Sequence, residues 1–87
     1  MRIHIAREQM ELLRSLELAG RPLWEAIEGL RSGGPLGAAP LDAADVPGKL
    51  GRRELHVRVG VRGFWLQWEV VKDRGETVIE IVLVEEN

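Results

Sequence analysis

Apolar residues recur every three or four positions in the first third of the chain and every second position in the last third. Ala6, Met10, Leu13 and Leu16 fall at i, i+4, i+7 and i+10, while Glu8, Glu11, Arg14, Ser15 and Glu17 hold the other faces. That spacing predicts an amphipathic helix over 6–18. Gly20 is the expected residue just past its end, and Pro22 suits the first turn of a second helix, where a missing N–H costs nothing. Leu23, Ile27 and Leu30 form the second stripe, with Trp24 and Ala26 at its margins, and Ser32-Gly33-Gly34-Pro35 stops it. A helical hairpin over about 6–32 follows. Residues 33–48, with three Pro and four Gly, read as a surface loop. Leu36, Leu41 and Val46 would pack part of it down, and Asp42–Asp45 would form one helical turn.

After Gly48 the period changes to two. Leu55, Val57, Val59 and Val61 alternate with Glu54, His56, Arg58, Gly60 and Arg62, the pattern of a half-buried strand. A turn near Gly60–Gly63 leads into a strand from Phe64 to Val71, and Lys72-Asp73-Arg74-Gly75 is a hairpin turn. The closing strand, from Thr77 through Val84, is apolar at almost every position, which predicts a central strand covered on both faces. Arg2–Ile5 is a further short strand. The order β-α-α-β-β-β predicts an α+β fold, two N-terminal helices packed on one face of a mainly antiparallel twisted sheet. The expected organisation is a single domain over 1–87, with the β-meander at about 52–85.

Eighty-seven residues suffice for one core and a shallow site, since a chain of this size buries roughly 60–65% of its unfolded surface. There is no Cys, which removes disulfides, thiolate metal sites and thiol nucleophiles. No apolar run is long enough for a signal peptide or membrane span, so a cytoplasmic protein without a membrane partner is expected. His4 and His56 are not in metal-ligand spacing, and neither a metal nor a cofactor is expected. The formal charge of −2 argues against a strongly basic nucleic-acid binder, but it is unevenly spread. Residues 1–48 carry −2, residues 49–62 carry +4 and residues 69–87 carry −4. Any anion site must therefore be local.

The element order, with Arg53-Glu54-Leu55-His56-Val57, Trp68-Glu69-Val70 and Val78–Val84, resembles the RelE/ParE superfamily of bacterial toxin–antitoxin modules. These segments look like its R-E-L-x-V strand, its Y-x-V strand and its closing apolar strand. The chain departs from that pattern at several points. It is about four residues longer between Arg53 and Val70, and Trp65 stands where the family has an Arg. The C-terminus, Val84-Glu85-Glu86-Asn87, is acidic where messenger-RNA-cleaving members carry Arg, His, Tyr or Lys. There is no Tyr, so a Tyr-dependent cleavage does not carry over.

Within the basic window, His56, Arg58 and Arg62 are the candidate catalytic residues, sharing one strand face if the strand stays regular to Arg62. Arginine binds phosphate bidentately, and histidine can move a proton near neutral pH during 2′-hydroxyl attack. Lys49, Arg52, Arg53, Trp65 and Trp68 are the candidate binding residues, the tryptophans offering faces for base stacking. The competing reading is a solvated face whose arginines pair with Glu54, Glu69 or Glu80 on neighbouring strands. Trp65 and Trp68 have opposite parity, so one ring should point away from the helices, either exposed or under the loop. Two functions follow. One is a RelE/ParE-like toxin acting on RNA in translation, with RNA or the ribosome as target and an antitoxin protein as partner. The other is a non-catalytic interaction module, homodimeric through an exposed ring, that keeps the fold without the active residues.

Overall fold

The computed structural model describes residues 2–33 and 43–87. Its elements are β1 (Arg2–Ile5), α1 (Arg7–Ser15), a 3-10 turn (Glu17–Gly20), α2 (Arg21–Gly33), β2 (Ala44–Asp45), β3 (Arg52–Val59), β4 (Arg62–Asp73) and β5 (Glu76–Glu86). The five strands form one mixed sheet in the order β1-β5-β4-β3-β2. β1 runs parallel to β5 and all other neighbours are antiparallel. No helix among the described residues is long and apolar enough to cross a membrane.

The helical stripes supply one side of the core. Leu13 of α1 and Leu23, Ile27 and Leu30 of α2 are buried against Phe64, Leu66, Trp68, Ile79, Ile81 and Val84 of the sheet. Ile3 and Ile5, and Leu55, Val57 and Val59, extend the same layer on β1 and β3. Gln9 of α1 finishes the sheet edge. β1 pairs β5 only as far as Ile81, and the Val84 N–H beyond it donates to Gln9 Oε1 at 2.8 Å.

Four sequence expectations are corrected. α1 ends at Ser15, and the left-handed residue after it is Glu17 (φ 51°), not Gly20. Gly20 is buried instead, where an added Cβ would lie 3.1 Å from the Leu13 carbonyl oxygen. Ala44–Asp45 is not helical but a short strand paired to Glu54 and Arg53, because this segment runs alongside the edge of β3. Asp42, Leu36 and Leu41 lie outside the described residues.

The fourth concerns the closing strand. β5 carries a bulge, with Gln67 facing Leu83 and Trp68 facing Ile81, so Val82 is an extra residue. The bulge shifts side-chain parity. Ile79 and Ile81 before it and Val84 after it therefore all point at the helices. The dense apolar run reflects this change of parity in part, since Val78 and Leu83 fall on the opposite face. Val78 on that face is buried locally, beside the Arg2–Asp73 ion pair at 2.6 Å.

Candidate functional site

The face of the sheet turned away from the helices is ordered by strand register. β3 and β4 place Arg52 opposite Glu69, Glu54 opposite Gln67, His56 opposite Trp65 and Arg58 opposite Gly63. The first pair is an ion pair at 3.1 Å and the second a hydrogen bond at 3.1 Å. In the third, the imidazole leans on the indole with ring centroids 4.8 Å apart and planes tilted by 60°. The fourth differs because glycine offers nothing to pair with. Among the described residues Arg58 forms no ion pair and no hydrogen bond, and it is exposed.

The β3–β4 turn closes this end of the sheet. Gly60 has φ 65° and Val61 does not, the pattern of a type II′ hairpin, which needs glycine at its first central position. β3 accordingly stops at Val59, and Arg62 starts β4 directly opposite it. That register puts Arg62 on the parity of Phe64, with its guanidinium 5.1 Å from the Phe64 ring centroid. Its Nε and Nη2 donate to Glu86 Oε2 and Oε1 at 2.9 and 2.8 Å, a bidentate pair. Asn87 follows, its N–H donating to the Gly63 carbonyl at 3.0 Å and its Oδ1 lying 3.3 Å from His56 Nε2. His56, Arg58, Arg62, Glu86 and Asn87 thus rim a shallow, polar hollow of about 370 Å³.

Another hollow of about 350 Å³ lies between β1 and α2, lined by Ile3, Ile5, Trp24 and Ile27. The charged groups at its rim are already engaged, Arg31 with Glu28 and Arg2 with Asp73. Among the described residues no group of three His, Cys, Asp or Glu could hold a metal ion. The convergent polar groups are at the β3–β4 end.

The sequence matches no protein-family model, and no curated protein matches it. Among solved structures the chain is similar to a YoeB/ParE toxin from Agrobacterium tumefaciens. The TM-score is 0.67 over 100% of this chain and 99% of that one, at 11% identity. The chain has the fold of a RelE/ParE-like toxin. At that identity the likeness is one of backbone and shows the fold alone.

The candidates from the sequence scatter accordingly. His56, Arg58 and Trp65 come together on the open face, with Arg62 at its end. Arg62 does not share the face of His56 and Arg58 as expected, because the strand breaks at Gly60 and the count of alternation restarts. Trp68 is corrected from a binding ring to a core residue, 3% exposed. Arg53 lies across from Trp68 and is used to tie down the β2 segment, donating to the Ala43 carbonyl at 3.2 Å and standing 3.8 Å from Asp45. Arg52 is held by Glu69, and Lys49 sits in the turn before β3, away from the hollow. Pairing therefore accounts for Arg52 and Arg62, but not for Arg58. Gly63 and Asn87 were not expected at the site. Gly63 reads in the sequence as a turn residue, and Asn87 as part of an acidic tail.

The Arg62–Glu86 pair has a pH signature. Hydrogen bonds from Arg62 hold the Glu86 carboxyl below the ordinary glutamate value, outweighing desolvation, and the guanidinium charge acts in the same direction. The same bonds push Arg62 up. A depressed carboxylate stabilises the fold above its unfolded pKa, and that contribution is lost as pH falls through the folded pKa. The clamp should stay closed from neutral pH down past the ordinary glutamate range and open only below it. A carbon-13 titration of the Glu86 carboxyl checks this, and a midpoint at or above the ordinary value would contradict it.

Proposed function

We propose that this protein acts as a toxin of a toxin–antitoxin module, engaging single-stranded RNA in translation at the β3–β4 end of its open sheet face. In this reading Arg58 holds a phosphate, Trp65 offers a ring for stacking a base, and His56 takes the 2′-hydroxyl proton as the 2′-oxygen attacks the adjacent phosphorus. The bond to the 5′-oxygen breaks, that oxygen leaves with a proton from water, and a 2′,3′-cyclic phosphate remains. An antitoxin protein would be its partner. The observation that carries the reading is Arg58, exposed and set across from a glycine in a row where every other cross-strand pair is mutually engaged. The toxin-like backbone supports it.

The second reading, a non-catalytic interaction or dimerisation module, draws on Glu86, which takes up the charge of Arg62 at the same hollow. Induced expression separates the two. The toxin reading expects growth arrest with messenger-RNA breaks in translated frames, both lost in a folded His56→Ala/Arg58→Ala variant. Soluble wild-type protein that leaves growth and RNA intact, yet sediments as a dimer, would support the module instead.

A further inference from the structure

Gly63 is where three independent contacts meet. Its carbonyl accepts the Asn87 N–H at 3.0 Å, which anchors the last residue directly beside it. A Cβ added to it would lie 2.5 Å from Asn87 Oδ1, 2.6 Å from His56 Nε2 and 2.8 Å from His56 Cε1. The space a side chain would fill is thus taken by the imidazole edge and the carboxamide together. The imidazole also leans on Trp65, with ring centroids 4.8 Å apart. The ring thus touches an indole and a bare stretch of backbone, with Nε2 turned to Asn87 Oδ1 at 3.3 Å.

We propose that Asn87, seated over Gly63, is a positioning residue for His56: its carboxamide oxygen accepts the Nε2 proton and leaves Nδ1 as the nitrogen that can take a proton. An amide oxygen has no proton to give, so a neutral imidazole facing it must carry its own proton on Nε2. A histidine used as a base needs its other nitrogen fixed in this way, since the tautomer decides which nitrogen is free. The functional consequence rests on the proposed role of His56, but the tautomer is a property of the free protein and can be read without RNA.

Gly63→Ala is a clean probe of the cradle. Gly63 is not in the left-handed region, so alanine fits the backbone, and the atoms it meets are side-chain ends that can swing aside. Long-range proton–nitrogen spectra above the imidazole titration report the tautomer directly. His4, exposed on β1 and without a hydrogen bond among the described residues, serves as the internal reference. Wild-type His56 should show the Nε2–H form alone, against a mixture at His4. Asn87→Ala and Gly63→Ala should each shift His56 to the mixed pattern. Asn87→Asp, whose carboxylate also accepts, should keep the single form. A mixed pattern at His56 in the wild type, or a pattern unmoved by Asn87→Ala, would overturn the proposal. A fixed tautomer in a protein that binds no RNA would uphold the positioning while removing the RNA reading.

Discussion

Replacing Trp68 with alanine is expected to unfold a large share of the protein, whereas replacing Trp65 should leave it folded. Trp68 is 3% exposed and sits among Leu66, Ile81 and the helix stripes. Truncating a buried Trp to Ala costs about 3–5 kcal/mol through lost burial and the cavity left behind. A small domain has only about 5–15 kcal/mol in total. Trp65, three residues earlier and on the opposite face, is half-buried and packs on His56. Its loss should cost about 1–2 kcal/mol, the scale of a partly exposed aromatic contact. Urea unfolding with an unchanged m-value measures both. Equal losses at the two positions would mean that the parity of β4 is not as described.

The second large effect is a pair of opposite changes in RNA affinity. Arg58→Ala should weaken binding of a short single-stranded RNA about tenfold or more, because a charge-assisted hydrogen bond contributes about 1.5–3 kcal/mol. Glu86→Gln should strengthen it several-fold, because Arg62 is at present neutralised by a bidentate carboxylate at the rim of the same hollow. The salt dependence gives a second readout. On a log–log plot its slope should flatten by about 0.7 in the first variant and steepen by about 0.7 in the second, one phosphate contact each way. The double change Arg62→Ala/Glu86→Gln should alter affinity little, since it removes two charges that already cancel. Two variants that weaken binding alike would place the RNA elsewhere on the molecule.

The two helices are legible because Leu13, Leu23, Ile27 and Leu30 repeat at helical spacing, and the hairpins because Gly60 and Gly75 punctuate an alternating pattern. The basic window at β3 is legible from charge alone. The partner of each arginine is not, because it depends on register across strands. Arg52 meets Glu69 and Arg58 meets Gly63 through a pairing that no local pattern specifies.

The sequence by itself determined the types of the two helices and the four longer strands, the α+β class and the strand that carries the cations, since periodicity and turn chemistry are local properties. The tertiary structure alone decided three things. The bulge at Val82 let Ile79, Ile81 and Val84 share one core layer across a change of parity. The turn at Gly60 moved Arg62 off the face of His56 and Arg58 and onto Glu86. Pairing of β4 with β5 brought Asn87, thirty-one positions along the chain, to within hydrogen-bond reach of His56. Each is a consequence of side-chain parity, which one extra residue or one tight turn resets and which is fixed only when strands find their partners.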